Sequence, residues 1–273
     1  MINYIKHKLE ICRAVAFVTY KEWSAYRTHS LVSVFVGPVY FIVQYFIWTA
    51  VYGGGGAIGG MELSETIRYF GASALIGYLT MDFADWNLQM LVRTGKFLTF
   101  SLRPVHHRFF ALSQKIGHRI LGFYLEFLPC LLIFVLLFKV DMIPCCPLWT
   151  ALSVLLAFLM NFYVNYCLGM AAFYFVQANG IRVVYQLLGN IFSGMLIPLS
   201  FFPEIIQRIM IFLPFQYTNY IPAMVWTGNE AIGAMGLTIP QAVMYQAIAV
   251  IFTALLSEVL YRSSIKRFTA VGA

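Results

Sequence analysis

The chain has 273 residues, of which 61% are hydrophobic and only 11% charged, and its formal net charge is +7. Soluble domains carry about 25% charged residues, so this composition excludes an ordinary soluble globular protein. The positive charge could suggest a nucleic acid partner, but it is concentrated in a few segments between apolar stretches, which is typical of a membrane protein and not of a nucleic-acid-binding one. The predicted fold class is therefore an all-α integral membrane protein.

Residues 1–29 predict a helix that lies in the membrane interface. Ile5, Leu9 and Ala16 recur at helical spacing on one side, while Lys6 and Arg13 lie on the other. This start is polar and basic, so we expect no cleavable signal peptide.

Six apolar segments follow, each long enough, or nearly so, to cross a bilayer, which takes about 20 residues. They are residues 31–52, 69–92, 120–140, 148–176, 183–203 and 239–260. Pro38 predicts a kink in the first span. Gly189, Gly194 and Pro198 in the fifth predict close packing or an early end.

Lysine and arginine residues indicate the orientation of these spans. With the N-terminus in the cytoplasm, fifteen of the 18 fall on the cytoplasmic side, and Arg68, Lys139 and Arg208 fall outside. Because positive residues concentrate in cytoplasmic loops, both termini are predicted to be cytoplasmic. The outer loops are then 53–67, 141–147 and 204–238.

The outer loops contain two local features. Residues 53–60 form a glycine-rich connector, which is not a phosphate-binding loop because no Lys-Ser or Lys-Thr follows. Cys145 and Cys146 are adjacent in the next outer loop, and either a vicinal disulfide or two free thiols would fit.

The cytoplasmic segment 91–116, between the second and third spans, is basic and aromatic. Such a segment lies along the membrane or docks on a soluble partner. Its candidate residues are Arg93, Gly95, Lys96, Phe97, Phe100, Arg103, Pro104 and Arg108.

Residues 203–237 are apolar enough to enter the membrane, yet prolines divide them into pieces too short to cross it. We predict two short re-entrant helices here, because irregular backbone at membrane depth needs protein or water as a partner. The residues that define this outer region are Pro198, Pro203, Pro214, Phe215, Pro222 and Gly228.

Four acidic residues, Asp82, Asp85, Glu126 and Glu258, fall within or at the ends of the spans. Intramembrane acids often mark ion paths. Alternatively, Asp82, Asp85 and Glu258 lie at cytoplasmic helix ends and pair with Arg93, Arg262 or the N-terminal helix. Glu126 lies deeper, and its place is a helix interface or a water-filled cavity.

The sequence lacks the motifs of several chemistries. There is no Walker motif, so we expect no nucleotide or other cofactor on this chain. The adjacent His106 and His107 would point in different directions on a helix, so a metal site is not expected. We see no catalytic constellation, and we expect that the chain is not an enzyme by itself.

Two sets of strings resemble permeases of the type-2 ATP-binding-cassette (ABC) exporters. The first is Val92-Arg93-Thr94-Gly95-Lys96 with Ser101-Leu102-Arg103-Pro104-Val105. The second is Pro198-Leu199-Ser200-Phe201-Phe202-Pro203, Leu213-Pro214-Phe215-Gln216-Tyr217, Tyr220-Ile221-Pro222-Ala223 and Trp226-Thr227-Gly228, which resembles the multidrug and antibiotic export branch. The resemblance covers essentially the whole chain.

The resemblance implies six spans, an interfacial helix, a coupling helix between spans two and three, and two short re-entrant helices before span six. It implies a multi-pass permease in a bacterial inner membrane that exports a drug, antibiotic, peptide or lipid-like substrate. Its partners would be two ATPase subunits, which carry ATP and Mg, a second identical or paralogous permease and membrane lipid, but no nucleic acid.

Two other hypotheses stay open from the sequence. One is a proton-coupled secondary transporter that uses Asp82, Asp85 and Glu126, although no internal repeat is visible. The other is a membrane-embedded enzyme.

Overall fold

The computed structural model describes residues 2–25, 32–53, 55–175, 179–229, 232–233 and 235–266, with side chains from residue 5 onward. The described chain is largely α-helical, as predicted. Its helices are α1 (Ile2–Ser24), α2 (Val36–Val51), α3 (Leu63–Thr80), α4 (Ala84–Arg93), α5 (Lys96–Ser101), α6 (His107–Gly122), α7 (Leu128–Leu136), α8 (Pro147–Gly169), α9 (Asn179–Phe192), α10 (Glu204–Met210), α11 (Tyr220–Thr227) and α12 (Ile239–Ile265). A π-helix, Phe123–Phe127, joins α6 to α7, and 3-10 turns follow at Met170–Phe173, Leu199–Phe201 and Phe215–Tyr217.

Within the part of the chain that the structure describes, three continuous helical runs are long and apolar enough to cross a membrane. They are His107–Leu136, Pro147–Phe173 and Ile239–Ile265, and the shorter α2 is also apolar. These runs agree with the third, fourth and sixth predicted spans and with a multi-pass membrane protein. Six spans remain a prediction, because α3 has 18 residues and α9 only 14.

Some predicted segments extend beyond the described residues. The junction between the interfacial helix and the first span, residues 26–31, lies outside them. The same is true of residues 176–178 at the predicted end of the fourth span, and of residues 230, 231 and 234 in the outer region.

Two of the predicted spans differ in extent from the helices that contain them. The second, 69–92, is interrupted between α3 and α4, because Asp82 Oδ1 accepts the N–H groups of Phe83 (2.9 Å) and Ala84 (3.2 Å). The helix that contains the third predicted span begins at His107, before residue 120, because α6, the π-helix and α7 form one 30-residue run.

The fifth predicted span, 183–203, also ends early, at Phe192. Gly194 follows with φ +82°, and a Cβ there would overlap the Tyr69 hydroxyl and the Tyr220 side chain. The early end that the Gly/Pro residues predicted is therefore present. Pro38 lies in the first turn of α2, and the helix of the first predicted span is interrupted at residues 34–35, just before α2 begins at Val36. The break that Pro38 predicts is therefore present, because proline has no N–H to donate to the carbonyl four residues earlier.

The centre of the protein is built around α11. All residues from Tyr220 to Trp226 are buried, and α11 packs against α3, α8 and α12. Asn219 Nδ2 donates to Ser73 Oγ at 2.5 Å, and Trp226 Nε1 donates to the Met142 carbonyl at 3.0 Å. These bonds satisfy polar groups at both ends of a helix that is otherwise apolar.

The N-terminal helix α1 packs along α6. The contact is closest at Gly117, where an added Cβ would overlap the Ala16 backbone. The Trp23 ring lies 4.3 Å from the His118 ring. Ile5 and Leu9 on α1 are exposed, whereas Ala16 on the same predicted apolar side is buried, and the placement of α1 in the membrane interface stays a prediction.

Candidate functional site

The turn between α4 and α5 depends on a glycine. The Thr94 N–H donates to the Met90 carbonyl and the Gly95 N–H to the Val92 carbonyl, which ends α4. Gly95 then adopts φ +71° and precedes the first residue of α5. No atom lies within 4 Å of a Cβ placed there, so the backbone conformation, and not space, requires glycine.

Two aromatic side chains of α5 are buried inside this chain. Phe97 and Phe100 are 2% and 7% exposed, and their ring centroids lie 5.5 Å and 4.6 Å from the His107 ring. Phe97 also meets Phe173 edge to face at 5.0 Å. Their burial attaches the six-residue helix to its own protein and leaves these two rings little surface for a partner.

The opposite side of α5 is exposed and both basic and apolar. Arg93, Lys96 and Arg103 are exposed, and Leu98 and Leu102 are 51% and 82% exposed. Sequence reasoning missed the two leucines. The available signal was their i, i+4 spacing. Leu98 follows the buried Phe97 by one residue, and Leu102 follows the buried Phe100 by two.

The other residues proposed for this loop divide into two groups. Arg103 lies over the rings of Phe100 and Phe110, at 5.4 Å and 5.6 Å, and Pro104 beside it is exposed. Arg108 instead turns inward, and a contact between it and an ATPase stays a prediction. Its guanidinium donates to the Ala254 carbonyl and to Ser257 Oγ, both at 2.9 Å.

The four acidic residues are all in ion pairs. The pairs are Asp82–Lys115 (3.7 Å), Asp85–Arg182 (2.6 Å), Glu126–Arg119 (3.4 Å), Glu258–Arg108 (2.9 Å) and Glu258–Arg262 (2.7 Å). Arg262 was the expected partner of Glu258. Arg93 is not the partner of Asp82 or Asp85, and the cations that do pair with them come from later helices.

Glu126 lies at a helix interface, one of the two places left open for it. It is 5% exposed, and its Oε1 accepts a 2.7 Å hydrogen bond from Ser33 Oγ. Its partner Arg119 also donates to the Tyr78 carbonyl at 2.5 Å. Glu126 falls in the π-helix, and such bulges are frequent at functional sites.

The cluster around Glu258 also contains a histidine. His106 Nε2 lies 3.9 Å from Glu258 Oε2. Burial lowers the pKa of His106 from its ordinary value, although the Glu258 carboxylate opposes that shift. The cluster joins the start of α6 to the end of α12.

The outer region contains the two predicted short helices. Pro203 caps α10, Pro214 precedes the 3-10 turn that contains the buried Phe215, and Pro222 lies in the first turn of α11. Pro198 in turn precedes the 3-10 turn Leu199–Phe201. Whether the two helices dip into the membrane stays a prediction.

Gly228 ends α11 with φ +79°. A Cβ there would lie 2.6 Å from Cys145 Cβ, so α11 and the preceding outer loop approach closely. Cys145 and Cys146 are both free thiols, and the Cys145 thiol contacts the Thr227 carbonyl at 3.2 Å.

These observations define a helical membrane protein with an exposed basic segment between two of its helices, α4 and α6. The family described as "ABC-2 family transporter protein" matches residues 39–272, so the chain belongs to this family. It is therefore a permease component of an ABC-type transporter, a family that in general associates with an ABC ATPase. No similar chain was found among curated proteins or among solved structures.

Proposed function

We propose that this chain is the permease subunit of an ATP-driven exporter. It moves an amphiphilic or hydrophobic substrate, such as a drug, antibiotic, peptide or lipid-like molecule, out of the cytoplasm or the inner leaflet. Two copies of a separate ATPase bind ATP and Mg, and ATP hydrolysis supplies the energy for transport. The observation that carries the proposal is the exposed face of α5 within a chain of this family.

The chemistry of that face fits docking on a soluble protein. Leu98 and Leu102 are exposed apolar side chains, and the exposed basic side chains of Arg93, Lys96 and Arg103 belong to the same segment. Apolar anchors with a charged rim are typical of protein interfaces. The proposed partner surface on the ATPase is an apolar groove with acidic residues around it.

A second permease, identical or paralogous, completes the proposed exporter. On α9, Val183, Val184 and Leu187 are 53%, 56% and 60% exposed, and Gln186 and Asn190 are exposed beside them. Amide side chains facing lipid are unfavourable, so they support a partner or a polar path at this surface. We place the translocation path between the first, second and fifth spans of two permeases.

The ion pairs argue against the proton-coupled alternative. Asp82, Asp85 and Glu126 each have a cationic partner, which gives them a structural role. A transport function then requires energy from another source, which the ATPase supplies.

The test is copurification of the permease with an ATPase subunit, followed by ATP hydrolysis measured in lipid with and without candidate hydrophobic substrates. We expect substrate-stimulated hydrolysis. Arg103→Glu and Leu102→Asp should weaken copurification. Arg208→Glu, an exposed arginine in the predicted outer region, is the matched control and should not. Copurification of no ATPase, or equal effects of all three variants, would reject the proposal.

A further inference from the structure

The helix α9 is attached to the rest of the protein less firmly than its neighbours. None of its 14 residues is buried, and the structure describes the helix in full. Near its middle, Tyr185 stacks on Phe215 with ring centroids 5.3 Å apart. At its outer end, Phe192 lies 6.2 Å from the same ring.

One contact of α9 differs from these aromatic ones. Arg182 Nε lies 2.6 Å from Asp85 Oδ2, in the first turn of α9. The Asp85 side chain is 3% exposed and that of Arg182 is 24% exposed. A short pair with one partner buried depends strongly on keeping both charges, because removing one leaves the other unpaired.

Asp85 belongs to the helix that leads into the coupling loop. It lies in the first turn of α4, and α4 ends at Arg93, two residues before the turn at Gly95. The start of α4 is also packed against α8, where a Cβ at Gly169 would lie 3.0 Å from Asp85 Cα. Asp85 and the turn at Gly95 are therefore joined by one continuous helix.

There is space beside α9 for movement. An apolar crevice of about 530 Å³ separates Tyr185 of α9 from α8 and α12. Met160 and Cys167 line it from α8, and Phe252 and Leu256 line it from α12. A tightly packed interior would resist displacement of a helix, whereas this crevice does not.

We propose that Arg182 and Asp85 are positioning residues for transport: their ion pair makes α9 follow α4 and the coupling loop, and the crevice is the space into which α9 moves. The inference rests on the proposed function, because it needs an ATPase to move the loop. It assigns to Asp85 a mechanical role in place of a proton-carrying one.

The crevice contains a native reporter, Cys167. With Cys12, Cys130, Cys145 and Cys146 replaced by alanine, a membrane-permeant maleimide reports access to Cys167. The measurement uses the permease with its copurified ATPase, with and without Mg-ATP and vanadate. We expect the labelling rate to change when nucleotide is trapped. An unchanged rate in a complex that hydrolyses ATP overturns the movement of α9.

The ion pair is tested in the same background. Asp85→Asn/Arg182→Gln leaves no unpaired charge, so it should fold and bind the ATPase but lose the nucleotide-dependent change and transport. Arg182→Lys keeps the charge and should retain a partial response. Glu204→Gln/Arg208→Gln removes an exposed pair and should leave the response intact. A full response in the Asp85/Arg182 double variant overturns the inference, while absence of any ATPase rejects the proposed function itself.

Discussion

At the scale of single residues, two glycines with similar backbone angles have different surroundings. Gly228 has φ +79° and Gly55 has φ +75°. A Cβ on Gly228 would lie 2.6 Å from Cys145 Cβ, whereas nothing lies within 4 Å of one on Gly55. The comparison separates backbone strain from steric overlap.

Gly228→Ala should therefore destabilise the protein more than Gly55→Ala. Backbone strain alone costs about 1–2 kcal/mol for a residue with a side chain in this region. The overlap adds to that at Gly228 and forces α11 away from the outer loop. Thermal unfolding of the purified permease in detergent measures the difference. Equal losses for the two variants would show that the close approach to Cys145 is not rigid.

Gly95 gives a prediction about coupling. Because only its φ requires glycine, Gly95→Asn should be tolerated, since asparagine enters the left-handed region more readily than other residues. Gly95→Val should disturb the turn into α5 and uncouple ATP hydrolysis from transport, with membrane insertion intact. Transport at the normal rate in the Gly95→Val variant would show that the turn at Gly95 is not needed to couple ATP hydrolysis to transport.

The buried ion pair of Glu126 and Arg119 gives a prediction about stability. Both side chains are at most 7% exposed. Removing one partner of such a pair typically costs about 3–5 kcal/mol, so Glu126→Ala should lower the unfolding temperature strongly. Glu204→Ala breaks an exposed pair and should cost at most about 1 kcal/mol. A Glu126→Gln protein of normal stability that cannot transport would instead favour a proton-carrying role.

At the scale of helices, hydropathy and periodicity predicted some elements well and others poorly. α8, α12 and the short helices α10 and α11 follow from apolar length and proline spacing. The start of α6 was missed because Lys115 and Arg119 count as charges in any hydropathy window. Only the fold reveals that Lys115 pairs with Asp82 and Arg119 with Glu126.

The coupling helix shows the same limit. A helix in this loop was implied by the resemblance, which the family match supports, and α5 lies there. Which side of it faces outward could not be predicted, because that depends on distant residues. Phe97 is buried against His107 and Phe173, which leaves Leu98 and Leu102 outside.

The outer helices give a prediction that accessibility can test. Ile205, Ile209 and Phe212 are 69%, 53% and 89% exposed on the protein surface, whereas Val225 is fully buried. If α10 dips into the membrane, cysteines at the first three positions should resist aqueous thiol reagents, and a cysteine at Glu204 should react. Val225 is protected in either case and cannot discriminate. Reaction at all three positions would place α10 in water.

At the scale of the whole molecule, the distribution of charge predicts the orientation. The exposed basic residues Arg93, Lys96 and Arg103 lie in the segment proposed to dock on an ATPase, and that proposal requires this segment to face the cytoplasm. The aromatic and apolar side chains that attach this loop come from α6 and the end of α8. One face of the molecule therefore combines the positive charge with the proposed docking surface.

This orientation gives the last prediction. In a background without native cysteines, cysteines at Gly55 and Asn229 should react with an impermeant thiol reagent added outside intact cells, because both lie in predicted outer loops. Cysteines at Thr99 on α5 and at Lys266, which are both exposed, should react only after the membrane is permeabilised. Labelling of Thr99→Cys and Lys266→Cys from outside, with Gly55→Cys and Asn229→Cys protected, would show that the orientation is the reverse of the predicted one. The proposed docking segment would then lie on the side of the membrane away from any cytoplasmic ATPase.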